Sequence, residues 1–220
     1  MLHDIHEIDQ TETVFIVDDD PAARDSLNAL VKGKGLATKT FESAEAFLDG
    51  FDREIPGCLI TDVRMPGMSG LELQQYLQEQ SVALPVIVVT GYGDVKMAVA
   101  AMSAGAVTIL EKGFNEKDLL QSISIALDRG SQIRKKEEQL SDLADRVAKL
   151  SEGEVAVLRL LLAGRMNKQV SRDLDIGLRT VEMRRAGAMR TLGAETLAEA
   201  VRLSILGGIE PAGESEFHQP

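Results

Sequence analysis

Five residues have types and positions that suit one chemistry: Asp18, Asp19, Asp62, Thr90 and Lys112. Each lies within two residues of the end of a short, mostly apolar run: Thr13 to Val17, Gly57 to Thr61, Pro85 to Val89, and Ala106 to Leu110. Three carboxylates held together repel one another unless a cation sits among them. Hard oxygen donors in such small number suit Mg²⁺, which keeps several of its waters. A carboxylate beside a metal attacks phosphorus and becomes an acyl phosphate. The metal, the Lys112 ammonium and the Thr90 hydroxyl would then stabilise the phosphoryl oxygens. Each residue also has a plainer reading: Asp18 to Asp20 as caps, Thr90 as a turn residue, Lys112 as a solvated charge. Asp62 stands too early to cap the helix that follows, and Ser69 is the better cap. Their joint placement favours the chemistry.

The elements that must position these residues are legible as punctuation. Strands are expected at 13–17, 37–41, 57–61, 85–90 and 106–110, from runs bounded by turn signals. Helices are expected after caps at Asp20 (with Pro21 at the first helical position), Ser43, Ser69, Asp94 and Asn115. Five strands alternating with five helices predict an α/β, doubly wound, flavodoxin-like five-stranded parallel sheet with right-handed crossovers. That topology gathers the carboxyl ends of the strands at one edge, where such sheets bind ligands.

The 220 residues suit one large domain or two small ones, and aromatics at 4% predict a mainly aliphatic core. The lone cysteine, Cys58, lies inside the third strand and reads as a small core residue. The histidines are His3, His6 and His218, so the body of the chain has no imidazole for a zinc site or a Ser-His-Asp triad. No apolar run is long enough to span a bilayer. A cytoplasmic protein without a membrane partner is expected.

Charge divides the chain. Residues 1–130 hold 21 acidic and 10 basic residues, whereas residues 159–190 hold eight Arg or Lys against three acids. An acidic first domain is thus followed by one with a basic face. Gly130 interrupts the helical pattern, and Ile133, Leu140, Leu143, Val147 and Leu150 then keep an a/d register over about two heptads. They read either as a dimerising linker helix, slightly preferred, or as a helix packed on its own domain. Ser151 with Glu154 forms a capping box. A short helix from Asn167 to Leu174, a turn at Asp175-Ile176-Gly177 and a helix from Arg179 to Leu192 read as a second, all-α helix-turn-helix domain, completed by a helix from Leu197 to Leu206. In that motif the second helix enters the major groove. Candidate DNA contacts are Lys168, Arg179, Thr180, Met183, Arg184, Arg185 and Arg190. The expected bounds are a disordered lead at 1–12, the sheet domain at 13–129, a helical linker at 130–149, the helix-turn-helix domain at 150–206 and a disordered tail at 207–220.

Residues 13–129 resemble the receiver domain of bacterial two-component response regulators. The match rests on Asp18-Asp19, Thr61-Asp62-Val63-Arg64-Met65-Pro66-Gly67-Met68-Ser69-Gly70, Thr90-Gly91 and Lys112. Residues 150–205 are similar to the LuxR-type DNA-binding domain, on Leu150 to Val155, Gly164, Asn167-Lys168 and Thr180 to Met183. Their order points to the FixJ/NarL group. The resemblance implies that Asp62 accepts a phosphoryl group from a sensor histidine kinase. It also implies that Asp18, Asp19, Asp62 and the backbone carbonyl of Arg64 hold Mg²⁺. A homodimer on phosphorylation and double-stranded DNA follow as partners, with RNA polymerase as a further one. The chain departs from the family in Gly113 after the lysine, usually Pro, in Ile109, often aromatic, and in Arg184, often His. A trans Lys112–Gly113 bond is therefore expected.

Two other classes could use some of these residues. A Mg²⁺-dependent phosphohydrolase of the haloacid-dehalogenase kind would need an Asp two residues after its nucleophile, where this chain has Arg64. An adaptor whose basic domain binds no DNA is the other, and a salt-dependent shift on duplex DNA would reject it. A regulator that takes part only in its own phosphotransfer and dephosphorylation, and is otherwise no enzyme, is favoured.

Overall fold

The computed structural model describes residues 12–91 and 95–213, the side chains of 95–98 excepted. Residues 1–11 of the expected lead, the three histidines and the Asp94 cap lie outside the described residues; Glu12, expected in the disordered lead, is instead buried and paired with Arg134 ahead of the first strand. The chain divides into two compact units, Met1–Arg134 and Lys135–Pro220.

In the first unit the strands are β1 (Thr13–Val17), β2 (Ala37–Phe41), β3 (Gly57–Asp62), β4 (Val86–Thr90) and β5 (Thr108–Glu111). All neighbours pair in parallel in the order β2-β1-β3-β4-β5. Between and after them run α1 (Pro21–Lys32), α2 (Ala44–Gly50), α3 (Gly70–Glu79), α4 (Val95–Ser103) and α5 (Glu116–Ala148). The central strands are fully buried because helices cover both faces. Alternation sorts their side chains into two layers. Val14, Ile16, Cys58, Ile60 and Ile87 pack with Leu27, Val31, Leu119 and Ile123 on one side. Phe15, Val17, Leu59 and Val88 pack with Phe47, Leu73, Leu77 and Ala101 on the other. The second layer is less aliphatic than expected, because Phe15, Phe41, Phe47 and Phe51 gather there in edge-on and stacked pairs.

Side-chain caps set the helix starts. Asp20 accepts from Ala22 N at 2.9 Å, and Ser43 from Ala46 N at 3.1 Å. Ser69 and Glu72 close a capping box, and Asn115 accepts from Asp118 N at 2.9 Å. The break expected at Gly130 does not occur: α5 runs unbroken through it. A helical glycine costs roughly 1 kcal/mol against alanine, but here a Cβ would stand 3.3 Å from the Pro85 ring. Close packing of α5 on the entrance to β4 therefore accounts for Gly130.

The second unit holds the end of α5 with α6 (Glu152–Leu162), α7 (Asn167–Asp173), α8 (Leu178–Leu192) and α9 (Leu197–Leu206). The Ser151–Glu154 capping box starts α6. Leu158, Ala188, Leu192 and Ala200 form its core with Leu143, while Val147 and Leu150 pack against them. The heptad residues Leu143, Val147 and Leu150 thus serve their own unit rather than a free seam, and Leu140 is left 41% exposed. Residues 207–213 also differ from expectation. Ile209 is buried in the same core, and Ala212 N donates to the Arg159 carbonyl at 3.1 Å. Residues 214–220 lie outside the described part.

Candidate functional site

The strand order places β1, β3 and β4 side by side, so their carboxyl ends meet at one edge. Asp62 ends β3, Asp18 directly follows β1, Thr90 ends β4 and Lys112 directly follows β5. Carboxylate oxygens of Asp18, Asp19 and Asp62 lie within 4.8 Å of one another. Asp18 and Asp62 are buried and Asp19 is exposed. Lys112 Nζ donates to Asp62 Oδ2 at 2.8 Å and lies 3.5 Å from Asp18 Oδ2. Its backbone N–H donates to the Thr90 carbonyl at 2.7 Å, which fastens β5 to β4 where the side chain leaves. The Lys112–Gly113 bond is trans, with Gly113 at φ 104°, a conformation glycine adopts without strain.

Burial lifts the Asp18 carboxyl above its ordinary range, with Asp62 repulsion adding to it; the Asp20 N–H and the Lys112 charge offset this only in part. Burial alone would lower the Lys112 ammonium, but its hydrogen bond to Asp62 and the charges of Asp62 and Asp18 raise it. The lysine is bound mainly to Asp62, and Asp18 is left short of positive charge. An all-oxygen trio in that state fits a divalent cation.

A stability test follows from the sign of the Asp18 shift. Its folded form holds its proton more tightly than the unfolded chain does, so ionised Asp18 destabilises the fold at neutral pH. That penalty fades as pH falls through the raised value toward 3.8. In metal-free buffer Asp18→Asn should melt above wild type at pH 7, with the gap closing toward pH 4. Melting curves that coincide at pH 7 would contradict it.

The other expected residues fall as follows. Thr90 is buried, and its hydroxyl donates to the Gly91 carbonyl at 3.2 Å rather than to a carboxylate. Arg64 is exposed, and its guanidinium passes over Gly91, 2.8 Å from where a Cβ would stand. Two further side chains support the edge. Arg24 Nη1 donates to the Asp18 carbonyl at 2.7 Å. Glu45 accepts from Met68 N at 2.8 Å and pins the loop after Asp62; the Met68 N–H holds this exposed carboxyl below its ordinary range. Both residues look like ordinary surface charges in the sequence, and no local signal marks them.

In the second unit Val181, Ala188 and Leu192 bury one side of α8. The opposite side exposes Arg179, Met183 and Arg190, and Lys168 is exposed on α7. Arg184 and Arg185 do not join this stripe. The Arg184 guanidinium lies against the first turn of α6, 2.7 Å from the place of a Cβ on Gly153. Arg185 is half-buried, with its Nε shielded from solvent. Thr180 is half-buried at the start of α8. The stripe also exposes Glu182 and Ala186, which are not among the residues expected to contact DNA.

Residues 14–124 match the response regulator receiver domain, and residues 148–204 match the bacterial regulatory proteins of the luxR family. The chain belongs to the response regulator family, in the group that joins a receiver to a LuxR-type DNA-binding domain. It is 42% identical to the transcriptional regulatory protein FixJ of Azorhizobium caulinodans over 92% of this chain and 96% of that one. It is 40% identical to the response regulator TodT of Pseudomonas putida over 90% of this chain and 88% of that one. The solved response regulator StyR superposes with a TM-score of 0.77 at 39% identity, covering 89% of this chain and 98% of that one. These relatives are named as regulators. Among the described residues no helix is long and apolar enough to cross a membrane.

Proposed function

We propose that Asp62 accepts a phosphoryl group from the phosphohistidine of a sensor histidine kinase, and that the phosphorylated chain dimerises and binds double-stranded DNA to control transcription. The carrying observation is the 2.8 Å contact from Lys112 Nζ to Asp62, at the edge where Asp18 and Asp19 stand. In the transfer an Asp62 oxygen bonds to phosphorus as the P–N bond breaks, and the electron pair returns to the imidazole of the kinase. Lys112, held protonated by the two carboxylates, faces the charge on the phosphoryl oxygens. Thr90 would turn its hydroxyl from the Gly91 carbonyl to one of those oxygens. Asp18, Asp19, Asp62 and the backbone carbonyl of Arg64 would hold Mg²⁺, which when bound supplies positive charge to the carboxylates and to the phosphoryl group.

DNA is taken up by the second domain, read as residues 150–206 with the receiver as 13–129. Lys168, Arg179, Met183 and Arg190 supply the exposed contacts, with Thr180 at the start of the helix. The dimer face is assigned to the last two strand-helix units, where Val99 and Met102 on α4 and Ile125 on α5 are 60%, 51% and 49% exposed. Two domains on one DNA face would read two half-sites about one turn apart. RNA polymerase is the expected further partner, and the cytoplasm the expected compartment.

The full chain treated with acetyl phosphate and Mg²⁺ should double in mass by light scattering. It should also shift duplex DNA in a salt-dependent way. A phosphorylated chain that stays monomeric both free and on DNA would overturn the dimer.

A further inference from the structure

The exposed stripe of α8 carries a carboxylate. Arg179, Glu182, Met183, Ala186 and Arg190 are all exposed at spacings of three, one, three and four residues, opposite buried Val181, Ala188 and Leu192. No hydrogen bond or ion pair engages Glu182 among the described residues. On a helix laid against DNA this acid is an electrostatic misfit, since every phosphate repels it. It brings a gain in one place only, at a base edge that offers a hydrogen-bond donor. In the major groove Glu accepts from the N4 amine of cytosine. The neighbouring side chains fit that depth. Ala186, one turn on, is small enough to let the helix approach the base edges. Met183, 65% exposed, presents an apolar tip of the kind that packs on a thymine methyl group. Arg179 and Arg190 flank the stripe and suit phosphates on either side.

We propose that Glu182 is a specificity-determining residue that reads a cytosine in each half-site through its N4 amine, with Met183 contacting the methyl group of a nearby thymine. This rests on the proposed binding of DNA by α8 and names the bases it selects. Glu182 contributes discrimination rather than affinity, because its charge opposes non-specific binding.

The test uses the full chain, with acetyl phosphate and Mg²⁺, on a library of duplexes with a randomised core. Wild type should prefer cytosine at one position of each half-site. Glu182→Ala should flatten that position by about tenfold or more. It should leave binding to unrelated duplex equal or tighter, with a salt slope no smaller. Glu182→Gln should move the preference toward adenine, which glutamine pairs through N6 and N7. Replacing the preferred thymine by deoxyuridine, which removes only the methyl group, should weaken wild type but not Met183→Ala. Base profiles of wild type and both Glu182 variants that coincide at every position, while salt-dependent binding persists, would overturn the proposal and leave DNA binding standing. Absence of any duplex binding by wild type would overturn both.

Discussion

Asp62→Asn is expected to take up no phosphoryl group, from a sensor kinase or from acetyl phosphate, while folding like wild type. An amide oxygen is neutral, and its lone pair is shared with the nitrogen, so it is no nucleophile toward phosphorus at neutral pH. Asparagine matches aspartate in size, and the position is 8% exposed, so the substitution leaves no cavity. It also removes one of the crowded carboxylates, which relieves the repulsion that helps lift Asp18. Relief of that repulsion opposes the loss of the Lys112 ion pair, so the metal-free variant should still fold and the loss should be chemical and complete. Radiolabel from phosphorylated kinase, with acid and hydroxylamine treatment to identify an acyl phosphate, reads it directly. Label on the Asn variant at the wild-type level would move the acceptor elsewhere. The same variant should fail to gain mass or DNA affinity with acetyl phosphate, since both are assigned to the phosphorylated state.

Local patterns carried most of the first domain. The runs ending at Val17, Asp62 and Thr90 are apolar on both faces because helices cover both sides of the sheet, and Asp20, Ser43, Ser69 and Asn115 cap the helices as their side chains require. Information held in tertiary contacts was not legible. Gly130 looks like a helix stop until the Pro85 ring stands against it. Leu143 and Val147 fit a two-helix seam equally well as a helix packed on its own domain, and only the core around Leu158 and Leu192 decides. Ile209 sits among Gly and Pro residues without periodicity, so its burial has no sequence signal.

The same limit applied to α8. Charge type nominated Arg184 and Arg185, yet a 15-residue helix has room for only one exposed stripe. Val181, Ala188 and Leu192 fix which side is buried, and the angle from them turns Arg184 toward α6 and places Glu182 outward. At the acidic edge the reverse held. Asp18, Asp62, Thr90 and Lys112 were placed correctly at strand ends because a parallel topology leaves those ends only one edge to share. Arg24 and Glu45, which support the edge from α1 and α2, belong to helices whose rotation the sequence does not state.

Gly70→Ala should destabilise the receiver and impair the Asp62 site together, although local preference argues the other way. Gly70 begins α3 directly after the Ser69 cap, and alanine is the better helix former by up to about 1 kcal/mol. The position has no left-handed backbone that would require glycine. What requires it is space. A Cβ there would stand 2.1 Å from the Asp62 carbonyl oxygen and 2.8 Å from Thr61 Oγ1. The nearest atom is strand backbone, which cannot swing aside as a side chain would. The Gly70 N–H also donates to the Val63 carbonyl at 3.1 Å, so the helix start is tied to the strand end it would have to leave. Overpacking of this kind costs roughly 1–3 kcal/mol and occasionally more, which outweighs the gain in propensity. Either α3 backs away or the Asp62 peptide shifts, and both displace the carboxylate from Lys112. The transition assigned to the receiver should fall by on the order of 5 °C or more. Phosphoryl uptake from acetyl phosphate should slow even at temperatures where the variant is folded. A variant that melts with wild type and is phosphorylated at the same rate would show that the loop yields freely, and that the close approach of Gly70 to Asp62 does not hold the site.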